Sequence, residues 1–439
     1  MRGASLLLSA LCAGVAASPA PAQTGAPEAL WSRVEAAIEQ VRPEITQIRH
    51  TLHSNPELSN REVETAALVA RHLEQLGLEV RTGIAHTGVL GILRGGKVPG
   101  SGGGPVVAVR ADMDALPVTE ETDLPFRSTK RTELAGEEVG VAHACGHDIH
   151  TAVGLGVASA LAAVRDELPG TVLFVFQPAE EGPPAGEEGG AELMLEEGVF
   201  SELEPEAIFA LHSWPDLEVG RVGYLAGPMW AAVDRFRLRL LGKQTHGAYP
   251  HEGVDPIVLA AQTIETFQTI ASRIIPAGEP VVVSVGIVRG GERFNIIPGE
   301  VYLEGTVRSY AAGMPERVQA LMRRILDGLT QAAAASYELE YETMTPATVN
   351  APELAQRVRP SLERAVGAEA VVDVEATMGG EDFAYFANRI PGFYFRLGVL
   401  EPGTESGFLH TPTFRASDDA IPVGIRAMAA LVVDSLTAR

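Results

Sequence analysis

Short apolar runs that stop abruptly at clusters of acid, histidine and thiol side chains constrain this chain more than any other feature. Val106-Val107-Ala108-Val109 gives way to Arg110-Ala111-Asp112-Met113-Asp114. Leu173-Phe174-Val175-Phe176 gives way to Gln177-Pro178-Ala179-Glu180-Glu181, and Ile208-Phe209-Ala210-Leu211 to His212. A further cluster, His143-Ala144-Cys145-Gly146-His147-Asp148-Ile149-His150, leads into a small-residue helical pattern over 151–164. Buried strands alternating with helices argue for an open, mostly parallel α/β sheet. Such sheets bind ligands outside the carboxyl ends of their strands, so clusters distant in sequence can meet in space.

The flanking patterns extend this plan. Residues 31–52 and 61–76 read as amphipathic helices, with a kink expected at Pro43. After Gly223 the pattern changes. Residues 236–241 alternate apolar and basic side chains, as in a half-exposed strand. A helix over 255–274 follows, with Asp255 as N-cap and Pro256 at its first position. Strands over 281–288 and 301–307, a helix over 315–336 and a strand over 338–343 complete a β-α-β-β-α-β order, the ferredoxin-like arrangement. At 439 residues the chain exceeds one simple core. The expected fold is two-domain α/β: a catalytic domain over 23–225 and 346–439, interrupted by an inserted ferredoxin-like α+β lid or dimerisation domain over 226–345.

Composition narrows the function classes. The net charge of −23 repels nucleic acid and anionic membranes, and no run of Lys and Arg opposes that. Glycine-rich stretches at 95–104 and 182–190 lack the Gly-Lys-Ser/Thr of a phosphate loop. At the amino terminus, Arg2, an apolar run over 4–17 and Ala20-Pro21-Ala22 form a signal-peptide pattern over 1–22. A periplasmic or secreted protein is expected, with no membrane association after signal removal. Cys12 leaves with that segment, so Cys145 is left as a lone thiol in an oxidising compartment. Burial or metal ligation would account for it.

Cys145 and His147 offer a thiolate and an imidazole two residues apart, and Glu181, His212 and His410 add nitrogen and oxygen donors. That mixture suits zinc and other borderline divalent ions. Any one of these histidines, taken alone, is more often structural. Glu180-Glu181 is more telling, because adjacent carboxylates after a buried strand are costly without a cation. One can bind metal while its neighbour takes the proton of an attacking water. Glu187-Glu188 follows no strand and reads as an acidic surface loop.

Seven motifs in order then carry a resemblance across nearly the whole chain beyond the signal segment. They are Arg-Ala-Asp-Met-Asp-Ala-Leu-Pro (110–117), His-Ala-Cys-Gly-His-Asp-Ile-His-Thr-Ala (143–152), Gln-Pro-Ala-Glu-Glu-Gly (177–182), Leu-His-Ser-Trp-Pro (211–215), His-Gly-Ala-Tyr-Pro-His (246–251), Gly-Gly-Glu-Asp-Phe (379–383) and Leu-His-Thr-Pro (409–412). The chain resembles the aminoacylase, hippurate hydrolase and auxin-conjugate (IAA-amino acid) amidohydrolase family of di-metal metallopeptidases. The resemblance implies two divalent ions, zinc or manganese with cobalt or nickel as options, held by Cys145, His147, Glu181, His212 and His410, with Cys145 as the bridge. It implies Glu180 as general base and then acid, and Asp114 as an acid close behind the ligands. His246 of the insert would reach the active site of a second subunit in a homodimer and stabilise the oxyanion. Asn295, Arg308, Gly380 and Glu381 fall in motifs that contact substrate, Arg308 being suited to a carboxylate.

Asp112-Met113-Asp114 stands where many relatives carry His-x-Asp, which places the chain with the amidohydrolase branch. Thr245 replaces a common glycine, and the loop after Glu181 is long. The expected reaction is hydrolysis of N-acyl or N-aroyl amino acids to a carboxylic acid and a free amino acid. The alternative is a dipeptidase or carboxypeptidase using the same metals. A non-enzymatic solute-binding descendant would have lost the base or a ligand, and every one is present.

Overall fold

The computed structural model describes residues 28–97 and 103–438, so the expected signal peptide over 1–22 lies outside the described residues. In chain order the main elements are α1 (Glu28–Ser54), α2 (Val63–Gln75), β1 (Glu79–Ile84), β2 (Gly88–Arg94), β3 (Val106–Asp112), α3 (His147–Ala162), β4 (Thr171–Gln177), β5 (Ala207–Glu218) and β6 (Val222–Tyr224). There follow β7 (Ala232–Leu241), α4 (Pro256–Thr269), β8 (Val281–Gly290), β9 (Glu300–Ser309), α5 (Met314–Ala333) and β10 (Ser336–Thr345). The chain ends with α6 (Pro352–Val366), β11 (Val371–Asp373), α7 (Phe383–Arg389), β12 (Gly392–Leu400) and α8 (Ala420–Thr437).

Eight strands form the main sheet in the order β1-β2-β4-β3-β5-β12-β6-β11. Its centre, β4-β3-β5-β12, is parallel, and antiparallel pairs flank it on both sides. Those central strands are buried almost throughout, as their uninterrupted apolar runs require. One face packs against α1, α3 and α8. Helix α3 is lined with small residues, which lets it lie close to its neighbours. A Cβ at Gly156 would stand 2.2 Å from Ile425 of α8. Helix α8 is apolar enough along 18 residues to cross a membrane by composition alone, yet most of it is buried against α1, α3 and α6. Its hydropathy is that of a core helix. The expected kink site, Pro43, lies inside α1, which continues as one helix on either side of it.

The four remaining long strands form an antiparallel sheet, β8-β9-β7-β10, covered by α4 and α5 around a core of its own. The period-two reading of β7 holds: Phe236, Leu238 and Leu240 point inward, and Arg235, Arg237 and Arg239 point out. The outward arginines pair across strands with Glu304, Glu340, Glu300 and Glu338. Asp255 caps α4 as expected, its carboxylate accepting the N–H groups of Ile257 and Val258.

Two strand ends differ from the sequence reading. Arg110 and Asp112 belong to β3 rather than to the loop beyond it. His212 lies inside β5, which runs on to Glu218. Strand β5 loses β3 as a partner after Phe209 but stays paired with β12 through Trp214. That second partner keeps the chain extended past the apolar run.

Candidate metal centre

Cys145, His147, Glu180, Glu181, His212 and His410 converge at the carboxyl end of the parallel strands. Cys145, His147 and His212 form one group whose donor atoms lie within 4.8 Å of one another. Cys145, Glu181 and His410 form a second, and His147, Glu180 and Glu181 a third. Cys145, His147 and Glu181 each belong to two of these groups, so the three groups make one connected cluster. Gly146 makes the convergence possible. Its φ of +87° turns the chain sharply at the start of α3, and a Cβ there would lie 2.3 Å from Ser213 Oγ. His410 also holds a left-handed backbone, φ +65°, fixed by its N–H donating to Ala144 O at 2.8 Å. A non-glycine residue held there stores strain, as functional positions often do.

Hydrogen bonds aim the two buried imidazoles. His212 donates from Nδ1 to Ser213 O at 2.8 Å, which leaves Nε2 as a lone pair 3.4 Å from Cys145 Sγ. His147 places Nδ1 3.2 Å from Asp114 Oδ1, and its buried Nε2 has no hydrogen-bond partner. Glu181 Oε1 is likewise buried without an aligned partner, although His410 Nε2 stands 3.1 Å away. Free donors of nitrogen, oxygen and sulfur, buried and facing one point, fit a borderline divalent cation. Backing of each imidazole by a carboxylate or carbonyl is the usual support for a metal ligand.

The charge balance points the same way. Asp112, Asp114 and Glu381 are buried, and Glu180, Glu181 and Asp382 nearly so. Burial first, then Glu381, Glu181 and Asp382, pushes the Glu180 carboxyl well above its usual range. Burial and the surrounding carboxylates push the Cys145 thiol up. Burial opposes protonation of His147, but Asp112, Asp114 and Glu181 outweigh it and hold the ring at about 10. Arg110 is the main buried counter-charge, bonded to Asp112 (2.6 Å), Gln177 (2.8 Å), Glu381 (2.9 Å) and Asp382 (3.0 Å). Additional cations would offset the excess negative charge.

Asp114 stands where expected, behind the donors. Its Oδ2 accepts Ser59 Oγ at 2.8 Å and Glu181 N at 3.0 Å. Arg308 and Gly380 line a cleft of about 730 Å3 together with Cys145, Glu180, Glu181, His212 and His410. Arg308 is half-buried, its side chain makes no hydrogen bond or ion pair with the described residues, and burial lowers its pKa. Glu381 also borders the cleft, but its oxygens accept from Arg110, Phe383 N and Tyr394 OH. The structure thus gives it a supporting position beside Glu180 rather than a free face toward a ligand. His246 is not brought to the cluster within this chain. It is exposed on a short antiparallel strand pair with Ile296, its Nδ1 accepting Ala248 N–H at 3.0 Å. Asn295 flanks that pair, its backbone O accepting Gly247 N–H, and its Oδ1 is buried without a partner.

Sequence reasoning missed the supporting groups. His150 bonds Asp112 at 2.6 Å and Ser213 N at 2.8 Å, tying α3 to two strand ends. Its place one helical turn after His147 was a usable signal. Glu62 is buried and accepts Ala179 N–H at 2.9 Å, which fixes the left-handed Ala179 just before Glu180. Burial and Asp114 raise Glu62 to about 7. Nothing in its local sequence marks it.

Comparison with known proteins agrees with this geometry. The model of Peptidase family M20/M25/M40 matches residues 108–434. The chain is 38% identical over 390 residues to the N-acetylcysteine deacetylase of Bacillus subtilis (strain 168), covering 89% of this chain and 96% of that one. It is 36% identical over 409 residues to thermostable carboxypeptidase 2 of Saccharolobus solfataricus, covering 92% and 98%. Among solved structures, the Bacillus subtilis YXEP protein, described as a dinuclear metal binding peptidase of the M20 family, superposes with a TM-score of 0.75 at 36% identity, over 90% of this chain and 98% of that one.

Proposed function

The chain belongs to peptidase family M20/M25/M40 and is a metal-dependent hydrolase, and from that premise we propose that it cleaves the amide bond of N-acyl or N-aroyl amino acids. The observation that carries this reading is the pairing, in one cleft, of Glu180 at the donor cluster with the unpaired Arg308 of the inserted sheet. A free cationic fork facing the hydrolytic centre suits a substrate whose amide lies one carbon from a carboxylate. Cys145, His147, Glu181, His212 and His410 would hold two divalent ions, zinc or manganese being favoured by the donor set. Bound there, the ions would polarise the amide carbonyl and acidify the attacking water.

The residues of the chain then do the rest. Arg308 fixes the carboxylate and with it the position of the amide. Glu180 takes the proton of the attacking water and returns it to the leaving amine. Its raised proton affinity favours that return, and bound cations moderate the shift. Asp114 and Ser213 O engage the Nδ1 atoms of His147 and His212, so that Nε2 is the nitrogen each ring would offer to a metal. Export of the chain and its pairing as a homodimer belong to the same proposal. Tyr249, its ring centroid 5.6 Å from that of His246, is exposed, and so are Ile257, Val258, Val288 and Phe294 elsewhere on the insert, which supports pairing through this part of the chain. His246 of the second subunit would then stabilise the oxyanion.

A dipeptidase reading has one observation in its favour. A cavity of about 410 Å3 beside Glu180 carries Glu188, Glu192, Glu196 and Glu342, an environment that attracts a free ammonium. One experiment separates the two. Protein stripped with chelator and reloaded with zinc or manganese is assayed on N-benzoyl, N-acetyl and free dipeptide substrates, beside Glu180→Gln. The amidohydrolase reading expects cleavage of the acylated substrates, lost by about 100-fold or more in Glu180→Gln with its metal content intact. Cleavage of free dipeptides alone would move the chain to the peptidases.

A further inference from the structure

The donor residues of the cluster are not held alike. Cys145, His147 and His212 are buried and Glu181 nearly so, whereas the His410 side chain keeps 52% of its surface exposed. Packing therefore does little to place that ring, and its position follows from the turn that carries it. The turn is tied to other parts of the chain at two backbone points. His410 N–H donates to Ala144 O, and Glu121 N–H donates to Pro412 O, each at 2.8 Å. Arg415 adds an ion pair with Asp123 at 2.7 Å. One tether thus starts beside Cys145 and the other in segment 121–123.

That segment is anchored in turn through Glu120. The buried Glu120 carboxylate accepts Ser128 N–H at 2.6 Å and the Thr122 hydroxyl, and it faces His53 Nε2 at 3.2 Å. His53 Nδ1 lies 2.9 Å from Asp148 Oδ2, the oxygen that also accepts Arg49 Nε at 2.7 Å. A ring that bridges two carboxylates carries a proton on each nitrogen. Asp148 follows His147 in the first turn of α3. A buried line of side chains therefore runs from the helix of His147, through His53 and Glu120, to the segment that grips the His410 turn.

We propose that His53 and Glu120 are positioning residues that set where His410 stands, so that the ion held by Cys145, Glu181 and His410 depends on them and the ion held by Cys145, His147 and His212 does not. This rests on the two-ion reading above. The dependence is selective because His147 and His212 have supports of their own in Asp114 and Ser213 O. Helix α3 also stays joined to α1 through Arg49 and Asp148 when His53 is changed. The His410 ring meets Glu181 inside the cluster and no supporting group outside it among the described residues. Loss of a group that orients a ligand typically weakens metal binding 10- to 100-fold.

Zinc titration of apo-protein against a competing chelator reads the two ions separately, and His410→Ala identifies the phase that belongs to His410. Wild type is expected to bind two ions. Glu120→Ala should weaken the His410 phase about tenfold or more and leave the other within about threefold. Glu120→Gln should stay close to wild type: its amide oxygen can accept Ser128 N–H while its NH2 donates to Nε2 of a neutral His53, which keeps the bridge. His53→Gln offers donors from a single nitrogen rather than from opposite sides of a ring. It should follow Glu120→Ala, and it carries the test if Glu120→Ala does not fold. Unchanged phases in both variants, equal weakening of both phases, or a Glu120→Gln protein as weak as Glu120→Ala overturns the positioning role and leaves the two-ion reading in place. A wild type that binds a single ion overturns both.

Discussion

Replacing Asp114 by Asn tests whether the donor cluster depends on a proton being kept at one ring nitrogen. Asp114 uses both oxygens: Oδ1 faces His147 Nδ1 at 3.2 Å, and Oδ2 accepts Ser59 Oγ and Glu181 N. An amide in its place has only one acceptor. The Glu181 N–H can only donate, whereas the Ser59 hydroxyl can turn. The amide oxygen therefore goes to Glu181, and the amide NH2 faces His147 Nδ1. Two donors cannot share a hydrogen bond, so the neutral form of His147, the form that can ligate, would carry its one proton at Nε2, the atom aimed at the cluster. A protonated Nε2 cannot ligate. Loss of such a supporting group typically weakens metal binding 10- to 100-fold, about 1.4–2.7 kcal/mol. Zinc or manganese titration of apo-protein against a competing chelator reads this directly, with Ser59→Ala as the control that removes only the adaptable partner. A folded Asp114→Asn protein that binds metal with wild-type affinity would refute the tautomer argument. So would a Ser59→Ala protein that loses as much.

Three further perturbations test separate parts of the structure. Gly146→Ala forces a Cβ onto Ser213 at a φ of +87°, and we expect at least about 2 kcal/mol of destabilisation in urea unfolding; a change within about 0.5 kcal/mol would contradict it. Burial opposes the charge on His53, but Asp148 and Glu120 outweigh it and hold the ring at about 9, above the roughly 6.5 of an unfolded chain. Its stabilising contribution, a few kcal/mol, is therefore fully present below pH 6.5 and lost as pH rises through about 9, and His53→Gln should flatten that slope in unfolding measured from pH 6 to 10. Arg308→Ala should lower kcat/KM for N-acyl amino acids about 10- to 100-fold but leave the matching carboxamide substrates little changed; equal loss on both would remove Arg308 as the carboxylate receiver.

What could be read from sequence follows the range of the forces involved. Core strands and the alternation in β7 are local patterns, so they were legible, and so was the Asp255 cap. The extension of β5 past Leu211 was not, because β12, which pairs with it, lies far along the chain. Nor was the clamp at the start of α3, where Arg49 of α1 bonds Asp148 at 2.7 Å and Asp418 at 2.6 Å. Donor residues were legible as types; which of them remain free to donate was not. Asp112, His147 and His150 gather as tightly as the groups that contain Cys145. His150, however, spends Nδ1 on Asp112 and Nε2 on Ser213, so neither nitrogen is left for a metal. His147 and His212 each spend only Nδ1 outside the cluster, the neighbour of His212 Nε2 being Cys145 Sγ within it. Glu381 likewise sits in a motif that promised substrate contact, and its oxygens are taken by Arg110, Phe383 and Tyr394. Residue type and spacing put a group near the centre, but its remaining lone pairs decide whether it acts there. Those depend on hydrogen bonds from other elements: Ser59 before α2, Ser213 on β5 and Tyr394 on β12. The same reasoning places His246 elsewhere. It is exposed, with a free Nε2 and no role in the donor cluster of its own chain, which is the condition that the proposed donation to a second copy must meet.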